Sequence, residues 1–309
     1  MKKLFVSIFI MVFTLSVFAQ ENESNQTSGA LVSKKGENYL PESGDWAISF
    51  DASPVFTFIG NAFNGNTYNP APGVDWLNGN QTIIGKLFLD DKTAIRALVR
   101  IGFLSSTTKA LIADATVTAP PAYPVLFPTV EDKLVSKGTF IGIGGGYEMR
   151  RGKTRLQGYY GGDVMIWARS LSDKYTYGNK ISATVPVFAY TTDFGDNLVF
   201  DPFGYDGRIL KETSGMTFGF GVRGFIGAEY FLFPKISVGA EYGWGLGIQR
   251  TGKSKLDVES FNGTNVGTVS SEEPGSSEFG VDTDLNQGNI FGFKGSNTGS
   301  ATFRVTFHF

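Results

Sequence analysis

The C-terminal residues Ala301-Thr-Phe-Arg-Val-Thr-Phe-His-Phe309 alternate between apolar and polar side chains and end on an aromatic. Successive side chains of a β-strand point to opposite faces of the sheet. One face of this segment would therefore carry Ala301, Phe303, Val305, Phe307 and Phe309. Such alternation is typical of a strand with one face toward lipid, although a soluble edge strand shows it as well.

The other end of the chain favours the lipid interpretation. Lys2 and Lys3 precede the apolar run from Leu4 to Val17, and Val17-Phe18-Ala19 gives a small-residue cleavage pattern before Gln20. We therefore predict a secretory signal peptide over residues 1–19, with an uncleaved anchor as the alternative. No later segment is apolar enough for a transmembrane helix. Because only helices and closed barrels satisfy their backbone groups in lipid, we expect this chain in a bacterial outer membrane.

The composition excludes several classes of function. The chain has no cysteine, so disulfides, thiolate metal sites and cysteine nucleophiles are excluded. Its net charge is −2, and removal of the signal peptide takes away two more lysines, so we expect no nucleic-acid partner. The 40 glycines, 28 phenylalanines and 12 tyrosines suit a sheet with an aromatic outer face and small residues inside.

Residues 20–43 are polar and predict a flexible periplasmic segment ahead of a barrel domain over residues 44–309. Within that domain we find eight segments of alternating pattern. These are Asp45 to Ile59, Gln81 to Leu89, Thr93 to Phe103, Gly138 to Met149, Arg155 to Arg169, Met216 to Tyr230, Lys235 to Gln249 and Ser300 to Phe309.

Short and long connections alternate between these segments. The short ones are Asp90 to Lys92, Arg151 to Lys153 and Phe231 to Pro234; the long ones are Gly60 to Asn80, Leu104 to Lys137, Ser170 to Gly215 and Arg250 to Gly299. We therefore predict an all-β fold, an eight-stranded antiparallel up-and-down transmembrane β-barrel. It has four long extracellular loops, three short periplasmic turns and both termini in the periplasm. A soluble β-sandwich is one alternative. A ten-stranded barrel is another, because residues 181–190 of the third loop also alternate.

Several stretches carry a family resemblance. They are the terminal strand, the hairpin from Gly227 to Gly247, and the segment from Pro41 to Trp46 with the strand start that follows it. Over residues 44–309 the chain resembles small outer-membrane barrels of the OmpA, OmpX and OmpW type, the generic outer membrane protein β-barrel domain. The resemblance implies a class and a membrane but no substrate, and an OmpW-type protein would imply a passage for small apolar solutes.

The alternation also assigns faces. In the hairpin of the sixth and seventh segments, the apolar residues share one face, which we expect to contact lipid. An aromatic girdle is expected near the short turns, where rings with one wet end are favoured. Its members would be Trp46, Tyr147, Tyr160, Tyr230 and Phe309.

The alternate positions of the same strands, whose side chains point to the other face, carry charged residues, which we expect inside in space left by glycines. These are Asp51, Lys86, Arg96, Arg100, Asp163, Arg223, Glu241 and Arg304. If strand order follows the chain, Arg304 lies beside Asp51 and Glu241, and Arg223 reaches Asp163 and Glu241. An eight-stranded interior is wide enough only for side chains, and unpaired buried charges are costly. We therefore predict a filled interior of paired charges, with a narrow water-filled channel as the alternative.

No motif indicates an enzyme, cofactor or metal site. The only histidine, His308, lies at the periplasmic end, whereas acyl-transfer enzymes of this class place theirs at the outer rim. Acidic residues of the fourth loop could bind Ca²⁺, but their spacing matches no compact motif and favours a solvated loop. They are Asp257, Glu259, Glu272, Glu273, Glu278, Asp282 and Asp284.

The long loops are the candidates for interaction, and the third is rich in aromatics: Tyr175, Tyr177, Phe188, Tyr190, Phe194, Phe200, Phe203 and Tyr205. These residues either bind a surface protein or pack on one another. In the passage hypothesis, they and the stretch from Ala119 to Pro128 would form a funnel for a small apolar ligand. Other expected partners are outer-membrane lipid and lipopolysaccharide, periplasmic chaperones, and the outer-membrane assembly machinery. The assembly machinery would recognise Phe303, Val305, Phe307 and Phe309 as a C-terminal signal.

Overall fold

The computed structural model of the 309-residue chain describes residues 31–66, 68–69, 82–117, 119, 121–282 and 301–309. The described elements all belong to the unit Val32–Phe309. The predicted signal peptide and most of the predicted flexible segment lie outside the described residues. The same holds for Asp284 and for parts of the first, second and fourth predicted loops.

The described part of the chain is mostly β-strand, arranged as one antiparallel sheet of thirteen strands. The strands are β1 (Trp46–Asp51), β2 (Ile83–Phe88), β3 (Thr93–Ala113), β4 (Thr129–Arg151), β5 (Leu156–Thr176), β6 (Leu198–Phe200), β7 (Asp206–Thr213), β8 (Thr217–Phe233), β9 (Ile236–Thr251), β10 (Ser254–Phe261), β11 (Val266–Glu273), β12 (Ser276–Asp282) and β13 (Ala301–His308). One α-helix, α1 (Ser53–Phe63), and one 3₁₀ helix (Val187–Ala189) accompany them.

The hydrogen-bonded pairings of eight strands follow one another around a ring. β1 pairs with β2, β2 with β3, β3 with β4, β4 with β5, β5 with β8, β8 with β9, β9 with β13, and β13 with β1. These strands overlap the eight segments that the alternation picks out. The remaining strands extend the sheet: β7 pairs with β5, β6 and β10, β10 with β11, and β12 with β9.

Tight turns connect β2 to β3, β4 to β5, and β8 to β9, and we call this side of the sheet the turn end and the opposite side the loop end. In the first turn, the Lys92 amide donates to Asp90 Oδ1 at 2.8 Å. In the second, Gly152 has φ of +142°, which side chains on Cβ disfavour. Near the turn end, the Tyr39 ring lies 4.1 Å from the Arg155 guanidinium carbon.

The first predicted strand, Asp45 to Ile59, is wrong in its second half. β1 ends at Asp51, and residues 53–63 form α1. Pro54 explains the change, because proline cannot donate to a strand ladder but fits the first turn of a helix. The helix contacts β13, where the Ala52 amide donates to the Phe303 carbonyl at 2.8 Å and the Phe56 and Phe303 rings lie 5.5 Å apart.

The predicted second loop is also largely strand. β3 and β4 remain paired from Thr93 with Met149 up to Ala113 with Thr129, so the connection is only residues 114–128. The added section begins with Ser105-Ser-Thr-Thr-Lys109, which are exposed at successive positions and therefore on both faces of the strand. A search for apolar alternation therefore ends where apolar residues end, although the hydrogen-bond ladder continues.

The third and fourth predicted loops likewise contain β6, β7 and β10 to β12. The suggested hairpin arm over residues 181–190 is not formed. That segment holds a single bridge between Ser182 and Val185 and the 3₁₀ helix. The strand that pairs with β5 in this region is β7, which begins later in the chain, at Asp206.

The two faces of the ring strands differ in polarity. Near the turn end and middle, one face bears exposed apolar side chains, including Ile95, Ile143, Ile166, Phe220 and Trp244, each 45–50% exposed. The other face bears buried residues, many of them charged. We call them the outer and inner faces. Within the described residues, no helix has the length and hydropathy needed to cross a bilayer.

Candidate functional site

The inner face concentrates charged side chains from β2 to β5, β8, β9 and β13. Strand register brings them together, since Lys86 lies opposite Arg96 and Asp163 lies opposite Arg223. Each residue of this group is at most 9% exposed: Lys86, Arg96, Arg100, Asp163, Arg223, Glu241 and Arg304. All seven are among the eight residues that the sequence places inside.

Glu241 lies at the centre of this group. Its carboxylate accepts hydrogen bonds from Arg96 Nη1 at 3.0 Å and Nη2 at 3.3 Å, and from Arg223 Nη2 at 2.7 Å. Arg304 Nη2 lies 3.8 Å away. Three guanidinium groups thus share one carboxylate, so the negative charge of Glu241 is needed to offset them.

Asp163 is the second carboxylate between these arginines. Arg223 Nη1 donates to its Oδ2 at 3.1 Å, and Arg96 Nε lies 3.4 Å from its Oδ1. The structure therefore places Arg223 between Asp163 and Glu241. Asp51 is the register partner of Arg304 and is half-buried. Arg100 lies with its guanidinium carbon 4.5 Å from the centre of the Phe140 ring.

A second group of charges, nearer the turn end, was not singled out from the sequence. Glu148 pairs with Lys86 at 3.0 Å and with Arg150 at 2.9 Å, and Arg150 also pairs with Glu229 at 2.7 Å. Parity identifies them, because Glu148 and Arg150 continue the inward positions 142, 144 and 146, and Glu229 has the parity of Arg223. Together with the first group they form what we call the charge network: Lys86, Arg96, Glu148, Arg150, Asp163, Arg223, Glu229, Glu241 and Arg304.

Aromatic rings fill the space around the charge network. The Arg96 guanidinium carbon lies 3.8 Å from the centre of the Phe225 ring, and Lys86 Nζ lies 4.7 Å from that of Tyr159. Side chains on the inner face therefore contact one another at these positions.

The inner-face glycines make this packing possible. A Cβ atom at Gly219 would lie 1.9 Å from the Trp167 ring, and one at Gly146 would lie 2.0 Å from Asp163 Oδ1. The space that the glycines leave is thus occupied by neighbouring side chains. This arrangement supports a filled interior over a water column at these positions.

His308 lies on the inner face at the turn end. Its Nε2 is 2.9 Å from Ser237 Oγ and 3.3 Å from Glu229 Oε1, and Ser237 also hydrogen bonds Glu229. In a catalytic triad the serine and the acid contact opposite nitrogens of the histidine ring. Here both contact Nε2, and the three residues are buried, so the geometry does not match acyl-transfer chemistry.

The aromatics of the third predicted loop divide into two sets. Tyr175 packs with Ile209 and Val258, and Tyr177 and Phe194 pack against that cluster. Tyr190 is half-buried, whereas the other four are exposed: Phe188, Phe200, Phe203 and Tyr205. Tyr175, Tyr177 and Phe194 therefore pack together, and the exposed rings remain candidates for interaction.

Polar side chains hold this region in place. Asp132 accepts from the amides of Gly178 and Thr192 at 2.8 and 2.7 Å, and Arg208 donates to Glu259 Oε2 at 2.7 Å. Burial raises the pKa of Tyr177 above its usual value. Phe203 and Tyr205 are therefore exposed on a region that these hydrogen bonds and the ion pair hold together.

The turn that carries these two exposed rings is organised by Asp201. Its Oδ1 accepts from the amides of Phe203 and Tyr205, both at 2.9 Å, and its Oδ2 accepts from Ser260 Oγ at 2.7 Å. Burial raises the pKa of this carboxyl, but the hydrogen bonds outweigh it, and the net pKa is lowered. A cleft of about 330 Å³ lies beside the turn, lined by residues that include Val187, Tyr205 and Phe261.

The C-terminal residues Phe303, Val305, Phe307 and Phe309 lie on the outer face or at the end of β13. This strand pairs on both sides, with β1 and β9. The Phe309 ring stacks on Trp46 with centroids 4.2 Å apart, and Phe307 meets Phe50 edge to face at 6.2 Å. Of the other predicted girdle residues, Tyr147 and Tyr230 are exposed and Tyr160 is half-buried.

The acidic residues of the fourth predicted loop do not converge. Glu272 pairs with Lys253, Asp257 accepts from Ser270, and Glu278 accepts from Gln249. In the described part of the chain, no three acidic or histidine side chains are grouped so as to hold a metal ion.

Comparison with known proteins identifies no family. No protein-family model matches the chain, and no curated protein matches it in sequence. Among solved structures, it is similar to the outer membrane protein OprG from Pseudomonas aeruginosa, with 8% identity, a TM-score of 0.27, and coverage of 88% of this chain and 98% of that one. It is also similar to a major outer membrane protein from Thermus thermophilus, with 11% identity, a TM-score of 0.24, and coverage of 86% and 98%. Similarity at this level establishes neither a shared fold nor a shared function.

Proposed function

We propose that the chain is a non-enzymatic outer-membrane protein whose eight ring strands form an antiparallel up-and-down barrel with a filled, polar interior. The observation that supports this most directly is the polarity of the two faces. Apolar side chains are exposed on the outer face while charges are buried on the inner face, which is the reverse of a soluble sheet packing and is typical of a barrel in lipid.

The strand pairings support the same architecture. The pairings return from β13 to β1, so the halves of the eight ring strands nearest the turn end have no unpaired sheet edge. A sheet in lipid must have no unpaired edge, because its backbone groups cannot hydrogen bond to water there. In the orientation that we propose, the tight turns and both termini of the chain face the periplasm, and the loop end projects outside the cell. A soluble β-sandwich would expose the same apolar face to water at a large cost.

The interaction role is assigned to the loop end. Phe188 and Phe200 meet edge to face at 6.2 Å and remain exposed, and Phe203 is 76% exposed on the turn held by Asp201. Exposed aromatics on a fixed frame are typical of protein-binding surfaces, because little entropy is lost when they bind. We therefore propose a structural, adhesive or interaction role that uses this surface.

Passage of a small apolar solute is the second candidate, favoured by the exposed apolar tip of the β3–β4 connection. Tyr123 and Leu126 are 97% and 88% exposed there. The packed charge network argues against a path through the interior, since Arg96 and Glu241 are 1% exposed.

Single-channel conductance separates the two candidates. We expect the refolded protein to be silent in planar bilayers, and an Arg223→Ala, Arg304→Ala double variant to leak, because it removes two of the arginines around Glu241. The matched control is an Arg151→Ala, Arg250→Ala double variant, which removes two arginines outside the charge network and should stay silent. Discrete openings in the parent would refute the filled interior, and failure of the parent to insert into bilayers would refute the membrane assignment.

A further inference from the structure

A group of lysines lies on the outer face, beyond the loop-end edge of the apolar surface. On β4, the outward positions run from Ile141 through Thr139 to Lys137, and on β5 they run from Ala168 to Lys174. Lys137 is four residues beyond Ile141, a distance of roughly 13 Å along the strand. If the apolar surface spans the bilayer core, Lys137 lies at the level of the outer-leaflet headgroups. Lys174 and Lys133 lie further out, six residues beyond Ala168 and eight beyond Ile141, roughly 20 and 26 Å along their strands.

Strand register brings four lysines together on this face. Lys174 of β5 lies directly opposite Lys211 of β7. It also lies opposite Val135 of β4, and Lys133 and Lys137 flank Val135 by two residues on either side. Directly opposite side chains have Cβ atoms about 5 Å apart, and diagonal ones remain within reach of long side chains. We call Lys133, Lys137, Lys174 and Lys211 the lysine cluster.

Neighbouring acids offset the charge of the cluster only in part, since Asp257 lies opposite Lys211 and Glu131 lies two residues from Lys133 on β4. On the exposed face of the described chain, the ion pairs use other lysines: Lys109 with Glu131, Lys253 with Glu272, and Lys255 with Asp257. Within that part of the chain, no carboxylate oxygen lies within 4.0 Å of a cluster Nζ. Like charges directly opposite each other in a sheet are destabilising, and the four lysines outnumber these two acids, so the remaining positive charge favours an anion from outside the chain.

We propose that the lysine cluster binds the phosphate groups of outer-leaflet lipid, with the apolar surface below it contacting the acyl chains. This inference rests on the proposed membrane function and adds a binding surface and its ligand chemistry. The supporting observation is charge complementarity on the same face as an apolar surface: a lipid that carries phosphates above acyl chains meets both features. Each lysine near an anionic lipid surface contributes measurably to binding.

The test uses diphosphoryl lipid A as the probe, titrated against the refolded full chain in detergent micelles and detected by native mass spectrometry. A variant with all four cluster lysines changed to Gln should bind lipid A at least about tenfold more weakly than the parent. The matched control changes four lysines outside the cluster, Lys34, Lys35, Lys92 and Lys235, to Gln. Its affinity should stay within about twofold of the parent.

Two results would overturn the inference: cluster and control variants with equal affinity, or displacement of lipid A by inorganic phosphate at equal concentration, which would identify a phosphate site without lipid specificity. Insertion into phosphatidylcholine vesicles is measured in parallel. A parent that inserts but does not bind lipid A refutes the lysine cluster alone, whereas a parent that does not insert refutes the proposed function.

Discussion

Replacing Glu241 with Gln should destabilise the protein by about 3 kcal/mol or more. The carboxylate contacts Arg96 at 3.0 and 3.3 Å, Arg223 at 2.7 Å and Arg304 at 3.8 Å, and its side chain is fully buried. Breaking a buried ion pair by removing one partner typically costs about 3 to 5 kcal/mol, because it leaves a charge uncompensated. Glutamine keeps the shape and one acceptor oxygen, so we expect the lower part of that range.

Equilibrium urea unfolding in lipid vesicles, followed by tryptophan fluorescence, measures this difference in unfolding free energy. The control is Glu131→Gln. Glu131 forms an ion pair of similar length, 3.0 Å to Lys109, but the side chains of Lys109 and Glu131 are 58% and 46% exposed. Exposed ion pairs contribute about 0 to 1 kcal/mol. If Glu241→Gln unfolds within about 1 kcal/mol of the parent, or no differently from the control, the charge network does not stabilise the fold as argued.

Three further predictions concern packing, assembly and pH. Gly161→Ala should destabilise the protein by about 1 to 3 kcal/mol in the same assay, because its Cβ would lie 1.9 Å from a backbone carbonyl oxygen, while Gly85→Ala, with 4.0 Å of clearance, should change little. Deleting Phe309, which stacks on Trp46, should lower the amount of protein in the outer-membrane fraction, and unchanged amounts would refute its role in assembly. The lowered pKa of Asp201 means that its ionised form stabilises the loop turn above the unfolded pKa of about 3.9 and that this contribution is lost as pH falls through the lower folded value. Pepsin should therefore cut this loop faster as the pH drops below about 4, and Asp201→Asn should remove that dependence.

The parts of the fold that follow from local alternation could be predicted from the sequence. Each of the eight segments chosen for its alternation contains a ring strand, since burial against lipid or core imposes period two, whereas residues 181–190 alternate as well but form only a bridge and a 3₁₀ helix. The failure at residues 53–59 has a local cause, because Pro54 disfavours a strand in a segment whose apolar residues fit either structure. The failures at the loop end have another cause. There the strands are stabilised by their hydrogen-bond ladders, with polar residues on the exposed face, and no apolar period marks them.

The inner-face charges illustrate a second limit. Parity alone identifies Arg223 and Glu241 as inward, and it would identify Glu148 and Glu229 as well. It does not say that Arg96 of β3 reaches Glu241 of β9, because these strands are not neighbours in the sheet. Contacts across an enclosed interior depend on side-chain length and on the relative heights of the strands. Those heights follow only from the full register, which local patterns do not determine.

The contacts of the charge network indicate which side chains are available for binding. Within it, five cations share four carboxylates: Glu148, Asp163, Glu229 and Glu241. Aromatic rings, that of Trp167 among them, occupy the space that the glycines leave. A group that binds solutes must be able to exchange its partners, whereas these charges are buried and the carboxylates each contact more than one polar or charged group. The exposed side chains are elsewhere: the aromatics around Phe203 at the loop end and the lysine cluster on the outer face. If the interior only supports the wall, variants of those two surfaces should change binding without changing stability, and variants of the network should do the reverse.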